Sequence, residues 1–191
     1  MSIAQPHACL SPEDFLRGED GAEQKHEYLN GVVYAMAGGT NRHARLGMNI
    51  GAALWARLRS KRCQPFNSDT LIRIQQGDDL RFYYPDVSVV CEPNALDEHY
   101  QERPVVIFEV LSESTARIDR GEKREAYLTI PSLCVLALVE TETMAITLWR
   151  RVGESWAQEY ANAPGQVLAF PEIECELPLA EIYEGSGLTA A

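Results

Sequence analysis

The sequence has no long hydrophobic run. No stretch of its 191 residues approaches the roughly 20 consecutive apolar residues that a membrane-spanning helix needs. Its opening, MSIAQPHACLSPEDF, has neither the basic start nor the apolar core of a signal peptide. These absences predict a cytoplasmic protein with no membrane partner.

Cysteine is scarce and scattered. The five cysteines form no CxxC pair and lie at Cys9, Cys63, Cys91, Cys134 and Cys175. Zinc sites and disulfide frameworks use paired cysteines with characteristic spacings. We therefore expect reduced, mostly buried thiols, as is usual in the cytoplasm.

Positive charge is in short supply. The chain has 17 Lys and Arg against 28 Asp and Glu, a net charge of −11, which opposes binding to a polyanion. One segment departs from this balance, because six basic residues occur there without an acid: Arg42, Arg45, Arg57, Arg59, Lys61 and Arg62. The segment is either a solvated basic helix, the interpretation that charge alone favours, or a phosphate-facing surface.

The residues that are present indicate one globular domain spanning 1–191, since 46% are hydrophobic and 24% charged. Ser11-Pro12 is typical of a helix start, and Asn30-Gly31 of a tight hairpin turn. Thr40 or Asn41 begins a helix predicted to reach residue 61. Further elements are predicted as strands at about 66–75, 80–91 and 104–111, a helix at about 117–129, strands within SLCVLALVE, MAITLWRR and ESWAQEYA, and a closing helix in LPLAEIYEG. This order predicts an α/β fold with a mixed sheet flanked by helices.

Two of the predicted strands contain an acid among apolar residues: Asp86 in RFYYPDVSVV and Glu109 in RPVVIFEVLS. A charged carboxylate inside a sheet is costly unless it is paired or coordinates a metal. If the two strands are neighbours, both carboxylates can converge and bind a hard cation such as Mg²⁺ or Mn²⁺. The alternative is that each acid meets an arginine or water at a strand end.

Three further residues are candidates for the same site. Lys123 shares a helical stripe with Tyr127 and with Asp119, so it projects from the apolar side and needs an anion beside it. Its alternative role is an edge pair with Asp119. Glu27 in the first hairpin strand is a possible metal ligand or an exposed acid. His43 is a catalytic candidate or a core histidine.

These segments resemble a known family. YPDVSVV, FEVLSEST, RIDRGEKREAYLTIPSL and LALVE, with HEYLNGVVYAMAG upstream, are similar to the Uma-two family of restriction endonucleases in the PD-(D/E)xK nuclease superfamily. The resemblance extends over about residues 11–183. It implies a restriction-endonuclease-like fold, with a central mixed sheet between helices, and magnesium-dependent cleavage of a phosphodiester.

The resemblance also implies residue roles. Asp86 matches the aspartate of the PD motif and Glu109 the acid of the D/E-x-K motif, and the backbone carbonyl of Val110 joins them as a metal ligand in our hypothesis. Leu111 stands where the superfamily usually has lysine. Lys123 is the candidate for a lysine that has migrated to the next helix.

The resulting hypothesis is a metal-dependent DNA endonuclease. Arg42 and Arg45 would contact flanking phosphates, and a homodimer would cut both strands because one site cuts one strand. Two alternatives stay open at this stage: a nuclease fold that no longer cuts and serves as a binding or assembly module, and a hydrolase of RNA or another phosphodiester.

Overall fold

The computed structural model describes residues 10–113 and 116–188. Its helices are α1 (Pro12–Glu19), α2 (Asn41–Leu58), α3 (Ala116–Ile118), a π-helix (Asp119–Lys123), α4 (Arg124–Leu128), a 3-10 turn (Pro171–Ile173) and α5 (Leu179–Ile182). Its strands are β1 (His26–Leu29), β2 (Val32–Ala35), β3 (Gln64–Asn67), β4 (Leu71–Gln76), β5 (Asp79–Tyr83), β6 (Val87–Val90), β7 (Tyr100–Gln101), β8 (Pro104–Val110), β9 (Val135–Val139), β10 (Ile146–Val152), β11 (Ser155–Ala161), β12 (Val167–Phe170) and β13 (Cys175–Pro178).

The strands form two larger sheets and one small hairpin. One sheet has five strands in the order β2-β1-β5-β4-β7, the other six in the order β11-β10-β9-β8-β6-β3, and β12 pairs with β13. Each larger sheet is mixed, because β4 pairs with β7 and β8 with β9 in parallel while the other pairs are antiparallel. The predicted mixed α/β fold with flanking helices is confirmed, with two central sheets instead of one.

The six-stranded sheet carries a helix on each face. The apolar stripe of α2, including Leu46 and Ile50, packs with Phe108 and Val110 on one face of β8. On the opposite face, Ile107 and Leu111 pack with Tyr127 of α4. This follows from the alternation of side chains along a strand, and it gives the sheet two separate apolar layers.

Local capping and turn chemistry agree with the predictions. The Ser11 hydroxyl accepts a hydrogen bond from the Asp14 N–H at the start of α1, and Thr40 caps α2. Asn30 and Gly31 both have positive φ, of 48° and 92°, as a tight hairpin between β1 and β2 requires. Helix α2 ends at Leu58, three residues before the predicted end, because its buried stripe stops there.

Two strand predictions were wrong about continuity. The predicted strand 66–75 is β3 and β4, and the predicted strand 80–91 is β5 and β6, and in both cases the two halves belong to different sheets. Pro85 interrupts the second run, since proline cannot donate a ladder hydrogen bond. Asp86 therefore lies in the connection just before β6, and not within a strand. The hairpin of β12 and β13 was not predicted.

The expectation for the cysteines was wrong for one pair. Cys63 and Cys91 form a disulfide, with their Cα atoms 3.8 Å apart. Cys63 directly precedes β3 and Cys91 directly follows β6, and the antiparallel register that pairs Gln64 with Val90 brings the two flanking residues together. Cys134 and Cys175 are free thiols, whereas Cys9 lies outside the described residues.

Within the described ranges, no helix is long and apolar enough to cross a membrane. A cytoplasmic location stays a prediction from the sequence.

Candidate active site

Asp86 and Glu109 belong to neighbouring strand segments. Strands β6 and β8 are antiparallel, with Val87 opposite Phe108, so Asp86 lies beside the Glu109–Val110 peptide. The Asp86 Oδ2 atom accepts a hydrogen bond from the Val110 N–H at 2.7 Å. The condition on which the sequence hypothesis depended, that these two strands are neighbours, is met.

Lys123 lies among three carboxylates. Its Nζ atom is 2.7 Å from Oε1 of Glu27, 3.4 Å from Oε1 of Glu109 and 3.8 Å from Oδ1 of Asp119. The lysine is only 5% exposed and Glu109 only 3%, so the ammonium group points inward. The edge pair with Asp119, considered as the alternative, is the longest of its three ion pairs.

A π-helix positions Lys123 and Asp119. The five residues Asp119–Lys123 adopt π geometry between α3 and α4, and both acid and lysine are buried there. One-turn π-helices within α-helices are frequent at functional sites. The sequence placed both residues on one face, but the π geometry and the burial of Asp119 at the site were not foreseen.

Glu27 is a member of the cluster and not an exposed strand acid. It lies on β1, which pairs with β5 of the same sheet, and its side chain is 14% exposed. The Tyr84 N–H donates a hydrogen bond to its Oε1 atom at 3.3 Å. The end of β5 therefore orients Glu27 just before the chain crosses to Asp86 in the other sheet.

Tyr127 is a site residue that the sequence reasoning assigned only to the apolar face. Its hydroxyl donates a hydrogen bond to Oε1 of Glu109 at 2.8 Å, and the side chain is fully buried. The available signal was that a buried tyrosine hydroxyl needs a partner, one helical turn from Lys123. Tyr83 supports the same group, because its ring centre lies 5.4 Å from the Lys123 Nζ atom.

His43 reaches Asp86 from the opposite face of the sheet. Its Nε2 atom lies 3.3 Å from Oδ1 of Asp86. The hydrogen bond with Asp86 raises the pKa of His43 above its usual value, burial opposes the shift, and the Val110 carbonyl also raises it. Gly39 packs against the ring, since a Cβ atom there would lie 2.7 Å from Nδ1 of His43.

Electrostatics reflect an excess of buried negative charge. Burial raises the pKa of Glu109 well above its usual value, with Lys123 opposing the shift. The pKa of Glu27 is raised for the same reason. Burial lowers the pKa of Lys123, but attraction to Glu109, Glu27 and Asp119 outweighs it, so the net shift is upward. With Asp86, which contacts His43, the cluster contains four acids beside one buried lysine.

The donor set suits magnesium. Mg²⁺ is usually held by one or two carboxylates and keeps several waters, and here Asp86 and Glu109 adjoin the carbonyl of Val110. Among the residues that the structure describes, no group of three or more histidine, cysteine, aspartate or glutamate side chains has the arrangement of a metal site. Magnesium binding by Asp86, Glu109 and the Val110 carbonyl stays a prediction.

Leu111 cannot supply a positive charge to the site. It is 2% exposed and packs in the apolar cluster that includes Ile107 and Tyr127. Lys123 is the cation that contacts Glu109, from the following helix.

Much of the basic segment is engaged by the protein's own acids. Four of its residues have such partners. Arg42 contacts Glu142 and the Thr141 carbonyl. The other three ion pairs are Arg57 with Glu181, Lys61 with Glu174, and Arg62 with Glu92. These contacts favour the interpretation of a solvated basic helix for most of the segment. Phosphate binding by Arg42 and Arg45 stays a prediction.

An open groove connects the surface to the site. It has a volume of about 850 Å³ and is lined by one face of α2 from His43 to Trp55, by the loop after β2 and by β3. His43 and Asp86 both line it. The groove is therefore a route by which a ligand can reach the outer side of the acidic cluster.

Mixed sheets with acids at adjoining strand ends define a restriction-endonuclease-like fold. A crystal structure described as "a putative nuclease belonging to DUF820 from Anabaena variabilis" matches with a TM-score of 0.68 and 16% sequence identity, over 85% of this chain and 91% of that one. The chain therefore shares the fold of that protein.

The chain belongs to the Uma2 family, whose model, described as "Putative restriction endonuclease", matches residues 12–180. Two uncharacterized proteins of Synechocystis sp. are similar to it: one is 34% identical over 151 residues, or 78% of each chain. The other is 28% identical over 157 residues, or 81% of this chain and 88% of that protein. The resemblance seen in the sequence is confirmed.

Proposed function

We propose that the protein is a metal-dependent phosphodiester hydrolase that cleaves DNA internally. The observation that carries the proposal is the contact of Lys123 with Glu27 and Glu109, with Asp86 bonded to the Val110 N–H next to Glu109. Buried acids in such excess are costly in a purely structural role. In the proposed site, the acids would bind a divalent cation and Lys123 would face the negatively charged phosphodiester.

Asp86, Glu109 and the Val110 carbonyl would hold the Mg²⁺ or Mn²⁺ ion, with Glu27 beside them. The bound ion would supply Lewis-acid chemistry, stabilising charge on a phosphate oxygen and making water more acidic. The Val110 N–H fixes Asp86 through one carboxylate oxygen, and His43 contacts the other. His43 thus orients the Asp86 carboxylate.

Lys123 supplies the positive charge that the superfamily usually takes from the position of Leu111. Its ammonium group, beside Glu109 and Glu27, would stabilise the charge that develops on the phosphoryl oxygens. Its raised pKa keeps it protonated at neutral pH. Arg42 and Arg45 would contact phosphates on either side of the cleaved bond, and a twofold dimer would present two sites to the two strands.

The test is cleavage of plasmid DNA by the purified protein with Mg²⁺ or Mn²⁺. Asp86→Ala, Glu109→Ala and Lys123→Ala should each abolish cleavage. Asp14→Ala is the matched control, because Asp14 is an acid with a 51% exposed side chain on α1, and it should cleave like the wild type. Cleavage by the three site variants at the wild-type rate would refute the proposal.

The second candidate is a nuclease fold that no longer cuts and acts as a binding or assembly module. The buried Leu111 in the usual lysine position favours it. A thermal shift with millimolar Mn²⁺ separates the two, since a ligand that binds only the folded state raises the melting temperature. A rise that is lost in Asp86→Ala supports the hydrolase, and no rise supports the module. Cleavage of RNA in place of DNA would assign the same site to another phosphodiester.

A further inference from the structure

Strand β11 forms an open edge of the six-stranded sheet. In the part of the chain that the structure describes, β10 is its one neighbour, and their pairing is regular along all of Ser155–Ala161. The strand contains no proline, lysine or bulge, the usual devices that keep a sheet edge from pairing with another chain. Five of its seven residues are exposed, so the edge is accessible.

The other edges of the two larger sheets are shorter. At the opposite edge of the same sheet, β3 has four residues and contains Pro65, which cannot donate a ladder hydrogen bond. The edge strands of the five-stranded sheet, β2 and β7, have four and two residues. Among the described residues, β11 is therefore the edge strand of these sheets that offers the most backbone for pairing.

The turn before β11 determines which backbone groups face its open side. A two-residue turn joins β10 to β11, so the flanking residues Val152 and Ser155 are a hydrogen-bonded pair. Bonded and non-bonded pairs alternate along an antiparallel ladder. Trp156, Gln158 and Tyr160 therefore direct their N–H and C=O groups away from β10, toward the open edge.

These three residues are complementary to a second copy of themselves. An antiparallel pairing of two β11 strands about a twofold axis at Gln158 aligns all seven residues. Gln158 then lies opposite Gln158, and Trp156 of each copy lies opposite Tyr160 of the other, so that all three residues pair their open backbone groups. Tyr160 is 60% exposed in the single chain, and aromatic cross-strand pairs stabilise antiparallel sheets.

The charge on the strand is compatible with this register. Glu159 would lie opposite Ala157 of the other copy, and Arg150 of its own chain contacts its carboxylate at 2.9 Å. A shift of the axis by one residue, to Glu159, would place the two glutamates directly opposite each other, which is destabilising. Charge and backbone pairing therefore favour the axis at Gln158.

We propose that two copies of this chain associate by pairing their β11 strands in this register, which joins their six-stranded sheets into one. A twofold contact uses the same surface on both copies and closes, so the outer edges of the joined sheet are the two short β3 strands. The groove borders β3, and this pairing leaves it open. The inference goes beyond the proposed function, since association needs neither a metal ion nor DNA.

The experiment is sedimentation velocity of the protein in EDTA at about 1 to 500 μM, because an interface of one strand pair is small and its affinity is modest. The chain has a mass of 21.3 kDa, and the wild type should approach twice this mass as its concentration rises. Each copy carries a net charge of −11, so the buffer contains about 0.15 M NaCl, which screens all but close charge pairs.

Two single variants should each weaken the dimer by about ten-fold or more. Gln158→Lys places like charges opposite each other at the axis, and Gln158→Pro removes an N–H from each copy that only the dimer uses. Gln76→Lys is the matched control, because Gln76 is an exposed residue of β4, a strand with a neighbour on both sides. It should associate like the wild type, and circular dichroism should show that all three variants are folded.

A mixture of variants tests the register itself. Gln158→Glu should also weaken the dimer, because it places two acids at the axis. An equimolar mixture of Gln158→Lys and Gln158→Glu brings opposite charges together there and should restore association. A variant that had merely failed to fold would not be rescued in this way.

Three results would overturn the proposal: a wild type that stays at the monomer mass throughout, equal association of Gln158→Lys and Gln76→Lys, or a mixture of the two charged variants that stays monomeric. Cleavage of plasmid DNA with Mg²⁺ is measured separately. Cleavage by a wild type that stays monomeric refutes this interface alone. A dimer that depends on Gln158 but does not cleave refutes the proposed function alone.

Discussion

Replacing Lys123 by methionine removes a buried charge while keeping most of the side chain's length. The ammonium group lies 2.7 Å, 3.4 Å and 3.8 Å from oxygens of Glu27, Glu109 and Asp119. At an effective dielectric constant of about 20, each contact is worth about 4 to 6 kcal/mol in gross Coulomb energy. Dehydration of the charges offsets most of this. Removing one partner of a buried ion pair costs about 3 to 5 kcal/mol net, and we expect Lys123→Met to lower the free energy of unfolding by that amount.

The assay is urea denaturation at pH 7 in EDTA. Arg17→Met is the control, because Arg17 and Asp14 form an ion pair with side chains that are 76% and 51% exposed, and such pairs contribute about 1 kcal/mol or less. Adding Glu27→Gln to Lys123→Met removes one of the stranded acids and should recover part of the loss. The electrostatic reasoning is refuted if Lys123→Met costs no more than Arg17→Met, or if the double variant recovers nothing.

Three further predictions concern the residues around the acids. Gly39→Ala should slow cleavage by about 10- to 100-fold, since its Cβ atom would displace His43, and NMR should find the His43 pKa closer to its usual value. Gly38→Ala, which meets nothing within 4 Å, should change neither. Tyr127→Phe should lower the free energy of unfolding by about 1 to 3 kcal/mol by removing a hydrogen bond to a carboxylate, and unchanged urea midpoints would contradict this. The pKa of Glu109 is raised in the folded state, so the folded protein holds more protons, and stability should fall as pH rises from about 4.5 through the folded pKa. Glu109→Gln should flatten this decline in urea titrations at pH 5 to 8, and parallel curves for the two proteins would contradict the shift.

Local signals in the sequence were sufficient for elements that local chemistry determines. The Asn30-Gly31 turn and the caps at Ser11 and Thr40 need only neighbouring residues, and the structure has all three. The inward direction of Lys123 was also predictable, because the spacing of apolar residues defines one face of the helix. The π geometry of that turn leaves the lysine on the buried face.

Features that depend on pairing between distant strands were not predictable. The runs 66–75 and 80–91 have continuous strand composition, yet each divides between two sheets, and composition does not report the partner of a strand. The contact between Glu27 and Lys123 spans the junction of the two sheets. It was not predicted, because the sequence left Glu27 as either a possible metal ligand or an exposed acid. The disulfide between Cys63 and Cys91 depends on the register of β3 and β6, which a scattered cysteine pattern does not reveal.

The candidate site also combines residues that local sequence indicates with contacts that only the fold reveals. The sequence singled out Asp86, Glu109 and Lys123 as candidates because each is a charged residue in an apolar pattern. The hydroxyl of Tyr127 and the small size of Gly39 contribute through one contact each, and only the folded arrangement identifies the atom that each one touches.

The most direct test of the metal site is a crystal structure of the protein grown with Mn²⁺, with anomalous diffraction used to locate the ion. We expect a peak bound by carboxylate oxygens of Asp86 and Glu109 and by the Val110 carbonyl, and we expect Asp86→Ala crystals grown in the same way to lack it. A wild-type crystal with no peak between these two acids at millimolar Mn²⁺ would contradict the account.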